Sequence, residues 1–226
     1  MPESLTRAQA IRYDKWCQQR WRIPSIVLMT HAAVECATLL RRRAGAQTSQ
    51  FLALCGSGNN GGDGYAIVRT LASHGLDAIA VQVAPPRTGS DAATMCASAE
   101  ALGLVRSFPP DSLHHGGLRP VVLIDAIFGT GLTRPPEGAE LAAIHWINQR
   151  SGAGLPVVAV DIPSGLDCDS GRPRGGPDDA VRANETFTMV APKAGFLRPG
   201  ADAYTGLVTV ISIGGPADPR LVDLME

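Results

Sequence analysis

The sequence predicts an α/β domain with a mainly parallel sheet covered by helices on both faces. Three observations carry this: short, almost wholly apolar runs alternate with helical stretches, a glycine-rich turn follows the first run, and two later runs end on an acidic residue and a small-residue turn. A strand covered on both faces has no polar side, so continuous rather than alternating apolar runs are expected.

Two amphipathic helical segments come first. Thr6 to Arg20 sets Ala8, Ile11, Trp16 and Cys17 on one stripe, and Pro24 to Arg43 turns Ile26, Leu28, Met29, Ala33 and Cys36 inward, with Pro24 suited to a helix start. Arg41, Arg42 and Arg43 read as the solvated end of that helix, where cations suit the dipole. Strands then read Phe51–Cys55, Ala78–Val83, Val121–Ile124 and Val157–Val160, with further strands at Glu185–Val190 and Leu207–Ile213. Helices fall between them at Tyr65–His74, Asp91–Leu102 and Glu137–Gln149, the last entered from Pro135 and Pro136. Asp167 to Asp179 is a loop by composition, and no repeat or linker divides the 226 residues, which fit one domain.

A net charge of −1 leaves no cationic surface for a run of phosphates, which argues against nucleic-acid binding. The five cysteines are widely spaced without a CxxC pair, so a reducing compartment fits better than a disulfide framework. No apolar run reaches membrane-spanning length, and Met1 to Arg22 lacks the apolar core of a signal peptide; a cytoplasmic protein without membrane contact is expected.

Gly56-Ser57-Gly58-Asn59-Asn60-Gly61 satisfies GxGxxG, and Gly62, Asp63 and Gly64 carry it into a helix at Tyr65. Glycines allow close backbone approach, and the free N–H groups of a helix start attract phosphate oxygens. A plain strand-to-helix turn would not need so many flexible residues. A hydride-transferring domain should end its second strand on an acidic residue that holds the ribose, but this strand ends Val83-Ala84-Pro85-Pro86, and Asp77 precedes it at the opposite edge. No GxxxxGK[ST] run is present, which disfavours P-loop hydrolysis.

Asp125 and Asp161 end two other strands and should lie on the same edge as the glycine turn, where such sheets bind ligands. Either alone reads equally as a helix cap; the two together beside the turn read as a site. Asn60, Asp125 and Ser164 offer one carboxylate and neutral oxygens, a donor set for a hard and, with one formal charge, monovalent cation.

Four motifs then become specific: GSGNNGGDG (56–64), DAIFGTGL (125–132), VDIPSGLDCDSG (160–171) and APKAGF (191–196). In this order they resemble the NAD(P)H-hydrate epimerase family, also called the YjeF N-terminal domain family, over nearly the whole chain. The resemblance implies a Rossmann-like three-layer αβα fold that epimerises hydrated NADHX and NADPHX at C6 of the nicotinamide ring, often as a homodimer, with one potassium ion per subunit. Carried over, the substrate-binding residues are Asn59, Asn60, Gly61, Gly62 and Asp63, then Gly129, Thr130, Gly131, Leu132, Thr133, Arg134 and Pro135, with Asp161 at the reacting ring. The potassium ligands carried over are Asn60, Asp125 and Ser164, which agrees with the cation reading. Where the family has a Met-Glu-Asn-Ala-Gly-like stretch this chain has Met29-Thr30-His31-Ala32-Ala33, a departure that bears on helix packing or the dimer contact. Many members also fuse an ATP- or ADP-dependent dehydratase, so the expectation is a stand-alone epimerase or an excised domain whose functional partner is that dehydratase.

C6 of the hydrated ring is a hemiaminal carbon, and it can lose its stereochemistry by C–O cleavage with push from the ring nitrogen. Asp161 is the candidate acid–base group, expected to be partly protonated by apolar burial. Lys193 is read either as a phosphate or Asp161 partner or as a surface lysine in a Pro-Lys turn. His31, His74, His114, His115 and His145 lie outside the motifs and take no role. The alternative reading is a non-catalytic nucleotide-metabolite-binding or scaffold domain of the same fold.

Overall fold

The structure is a computed structural model, which describes residues 4–43, 50–110 and 121–217. Its centre is a sheet of seven strands, β1 (Gln50–Cys55), β2 (Asp77–Gln82), β3 (Val105–Ser107), β4 (Val121–Ala126), β5 (Val157–Val160), β6 (Glu185–Met189) and β7 (Leu207–Ile211), in the order β3-β2-β1-β4-β5-β6-β7. Every pair is parallel. β1 is flanked by β2 and β4, so the chain reverses its direction of winding there, and the crevice beyond the strand ends opens at that point.

Helices α1 (Arg7–Arg20), α2 (Ser25–Arg43), α3 (Asn59–Ser73) and α4 (Asp91–Ala101) share one core with one face of the sheet, and α5 (Gly138–Gly152) shares a second core with the other. This is the three-layer αβα arrangement. β1, β4 and β5 are apolar in almost every position because both faces are covered; Phe51, Leu54, Leu123, Ile124 and Val157 are all fully buried.

Several boundaries differ from the reading of the sequence. α3 starts at Asn59 rather than Tyr65, so most of the glycine turn is helix. Glycine weakens a helix through backbone entropy, but tertiary packing overrides it where no side chain fits. A Cβ on Gly62 would stand 2.7 Å from Met29 Cε, and one on Gly64 would stand 2.7 Å from Cys55 Sγ. The short edge strand β3, the 3₁₀ turn Ala194–Leu197 and α6 (Asp202–Thr205) carry no periodicity long enough to read.

α1 buries Tyr13 and Cys17, with Trp16 partly covered, while Ala8 and Ile11 stay exposed. That helix is anchored instead by the Thr6–Gln9 capping box and by Tyr13 Oη donating to Pro216 O. In α2, Ala33 is fully buried, so the core accommodates its methyl group, Thr30 bonds back to Ile26 O, and His31 is exposed. Arg43 is not merely solvated: it pairs with Glu185 and lies 5.0 Å over the Phe187 ring. Among the described residues no single helix is long and apolar enough to cross a membrane.

Candidate active site

Adjacent strands bring the three motif turns together, since β1, β4 and β5 are neighbours and end at the glycine turn, Asp125 and Asp161. Asp77 pairs with Gln50 at the opposite end of the sheet, as expected, and is remote from this crevice.

Asp125 is fully buried and is built into a turn-to-turn clasp. Ser164 N donates to its Oδ2 at 2.7 Å, Ser164 Oγ to its Oδ1 at 2.5 Å and Ile127 N to Oδ1 at 3.3 Å. Phe128 N donates to Ser164 Oγ at 2.8 Å, so the turns after β4 and β5 are locked together. Burial pushes the Asp125 carboxyl up to about 6 even though these hydrogen bonds oppose the shift.

Asp161 follows β5 with φ of 65°, a backbone region sparsely used by non-glycine residues. Asp161 N donates to Phe187 O at 2.8 Å, which fixes that turn against β6. Its carboxylate meets Lys193 Nζ at 2.7 Å through Oδ1 and accepts from Thr130 N at 3.3 Å through Oδ2. Lys193 is 1 % exposed, and its ammonium also donates to Thr188 Oγ1 and Met189 O, each at 3.0 Å.

The surface-lysine reading of Lys193 is therefore wrong. Asp161 is buried, and its carboxylate contacts include the Lys193 ammonium and the Thr130 N–H beside any apolar neighbours. The flanking residues Ala191, Ala194 and Gly195 and the threonines of β6 were the available signals: a lysine among small residues beside a threonine-bearing strand finds hydrogen-bond partners indoors.

The first turn of α3 completes the crevice. Asn60 is 7 % exposed, and neither its amide nitrogen nor its amide oxygen has a partner. Both it and Asp161 stand against Gly129: a Cβ there would lie 3.0 Å from Asp161 Oδ2 and 3.3 Å from Asn60 Oδ1. Gly61 presses on Gly56, so a side chain would collide with the Gly56 carbonyl oxygen; its absence of a Cβ first serves the fold of the turn. Asn59 and Asp63 line a cleft with Ser25, Met29 and Asp91.

The segment Gly129–Pro135 lies at the same edge. Arg7 Nε donates to Thr130 O at 2.7 Å and Arg174 to Thr133 O at 3.0 Å, so two arginines hold the segment by its carbonyls. Leu132 is buried; Arg134 points outward and pairs with Glu137 at 2.8 Å. His74 and His145 make local contacts with Thr70 O and Asp179, away from the crevice, while His114 and His115 lie outside the described residues.

Comparison with known proteins identifies the family and supports the fold. The profile of the family described as YjeF-related protein N-terminus matches residues 25–195. The chain is 34% identical over 91% of its length to a protein of Rhodopirellula baltica named NAD(P)H-hydrate epimerase, of which it covers 82%. It is 32% identical to one of Lentilactobacillus buchneri with the same name, covering 95% of each. It is also 32% identical to a protein of Salinibacter ruber named bifunctional NAD(P)H-hydrate repair enzyme Nnr, but spans 41% of that longer chain. The crystal structure of yeast ynu0 superposes with a TM-score of 0.77 at 19% identity, covering 97% of this chain and 91% of that one, which supports the fold.

Proposed function

The chain belongs to the family of YjeF-related protein N-termini, and from that premise we propose that it is an isomerase interconverting the R and S forms of NADHX and NADPHX. The observation that carries the chemistry is the buried Asp161–Lys193 pair, whose Oδ2 stands beside Gly129 and the Thr130 N–H. Epimerisation at a hemiaminal carbon needs one proton delivered to the departing hydroxyl and one taken from the returning water. Asp161 in its protonated form delivers the Oδ2 proton to the departing hydroxyl and then, as a carboxylate paired with Lys193 Nζ at Oδ1, takes a proton back from the returning water. The ring nitrogen stabilises the cation between the two steps, and the C6–H bond stays intact.

Potassium fits the residues that would hold it. Asn60 Oδ1 is an orphaned buried acceptor, Asp125 supplies the charge, and Ser164 Oγ joins the β4 and β5 turns. Among the described residues no group of three His, Cys, Asp or Glu side chains could hold a metal, so neutral oxygens must supply most donors. A bound potassium ion would lend positive potential to the crevice wall, while Asn59–Asp63 and Gly129–Pro135 bind the dinucleotide. The name of the longer relatives implies a second repair activity on one chain, and we place a dehydratase after this step. Location in the cytoplasm and assembly as a homodimer belong to the same proposal.

The test is chromatographic. Purified R-NADHX incubated with the protein should approach the R/S equilibrium faster than in buffer, with solvent oxygen-18 entering the C6 hydroxyl and no solvent deuterium entering C6. An unchanged rate would sink the reading, and deuterium at C6 would overturn the C–O cleavage route.

A further inference from the structure

Both oxygens of the Asp161 carboxylate are held by groups that are themselves held from one short segment at the start of α1. Lys193 Nζ meets Oδ1 at 2.7 Å, and the backbone on either side of Lys193 is paired with Leu5: Leu5 N donates to Pro192 O at 2.7 Å and Ala194 N to Leu5 O at 2.8 Å. Thr130 N donates to Oδ2 at 3.3 Å, and the carbonyl of the same residue accepts from Arg7 Nε at 2.7 Å. Leu5 and Arg7 are two positions apart in the chain, so one strap reaches both sides of the reacting group.

The strap has a fixed base. Leu5 is buried, Thr6 and Gln9 close the capping box that starts α1, and Arg7 N donates to Asp169 Oδ1 at 2.7 Å. The Arg7 side chain therefore enters the Thr130 turn from a backbone that is tied down on its own account.

Thr130 needs that outside hold. It stands between Gly129 and Gly131, the latter with open space where a side chain would lie, and the turn is closed from within by a long bond, Leu132 N to Gly129 O at 3.3 Å. Glycines leave the backbone free to pivot. A guanidinium N–H on the Thr130 carbonyl makes a charge-assisted bond that stops the pivot and keeps the Thr130 N–H aimed at Oδ2. If that N–H turned away, the Asp161 carboxylate could rotate about its Cβ–Cγ bond and give both oxygens to Lys193. The atom that exchanges its proton with the substrate would then be withdrawn.

Resting on the proposed epimerisation, we infer that Arg7 is a positioning residue for Asp161, acting through the Thr130 turn. A proton is passed efficiently only within hydrogen-bond reach, and a small misplacement caused far from the reacting atoms is felt in the rate. The segment Gly129–Pro135 is also expected to bind the dinucleotide, which separates two roles for Arg7. A hold that served only substrate grip would show in KM, whereas a hold that aims Oδ2 shows in kcat.

The experiment is steady-state kinetics on R-NADHX with the full chain and its Arg7→Met and Arg7→Gln variants, alongside thermal melting and hydrogen exchange of the Thr130 amide followed by NMR. Arg7→Met puts a methyl group where Nε stood; it should lower kcat about tenfold with KM nearly unchanged, speed exchange at Thr130 and leave the melting temperature close to that of the unaltered protein. Arg7→Gln places an amide nitrogen at the same distance along the side chain as Nε, so it should keep most of kcat and a slow Thr130 exchange. Should Arg7→Met not fold, Arg7→Ala carries the same expectation. A normal kcat in Arg7→Met, a loss confined to KM, or an Arg7→Gln variant no faster than Arg7→Met would overturn the inference while the epimerase reading stands. If the unaltered protein does not epimerise NADHX, that reading fails, and the inference with it.

Discussion

Two parts of one crevice are built in opposite ways. At the ends of β5 and β6 the polar atoms are satisfied within the protein: Asp161 is held through both oxygens, and Lys193 has three strong partners. In the first turn of α3, Asn60 is nearly as buried, yet neither polar atom of its amide has a partner. An unpaired buried polar group costs roughly 1–3 kcal/mol. The difference separates groups arranged in advance for chemistry from groups that await a ligand, and substitutions in the two regions should have opposite consequences.

The largest effect is expected at the satisfied end. Asp161→Asn keeps the shape but cannot carry a proton, so the epimerisation rate should drop by about 10²–10⁴-fold with dinucleotide affinity nearly retained. A normal rate in the chromatographic assay would remove Asp161 from the mechanism. Lys193→Met should also destabilise the fold by about 3–5 kcal/mol, because it leaves a buried carboxylate without its partner. The double variant Asp161→Asn/Lys193→Met should recover much of that loss in urea titration; simple additivity would show that the two do not act as a pair.

Next comes Asp125. Burial raises its folded pKa to about 6, above the model-peptide value of about 3.9. Between these two values the folded protein holds the extra proton, so in potassium-free buffer stability should fall as pH rises across the window and level off above it. Potassium, which needs the carboxylate, should restore stability above the window and not below it, by about 2.7 kcal/mol at a hundredfold excess over Kd. Asp125→Asn should abolish both behaviours. Melting temperatures that respond equally to potassium and to a bulky organic cation at matched ionic strength would contradict the cation site.

The smallest effect has the reverse sign. Asn60→Ala removes two unsatisfied buried atoms from the ligand-free protein, so its stability in urea should be unchanged or greater by about 1 kcal/mol, while dinucleotide and potassium binding weaken. A clear loss of stability would mean that Asn60 serves the fold, as Gly61 does, and would erase the contrast between the two ends of the crevice.

The elements of the sheet were legible because their cause is local. Phe51–Cys55 and Val157–Val160 are apolar throughout since both faces of the sheet are covered, and the chain records that directly. Asp125, Asp161 and Ser164 were legible for a related reason: they sit immediately after such runs, and neighbouring parallel strands must end on one edge. The start of α3 was not, because its glycines disfavour a helix until Met29, Ala92, Cys55 and Ala126 press against it and leave no space for side chains.

The protonation logic of the site likewise belonged to the tertiary structure alone. Asp161 and Lys193 are far apart in the chain, and their contact exists only because β5 and β6 are adjacent and the turn after β6 folds Lys193 inward. Sequence alone determined which residue types line the crevice and which strand ends they follow. Whether each is paired, open or repelled by its neighbours was decided by three-dimensional proximity, since burial and electrostatic coupling depend on distance through space and not along the chain.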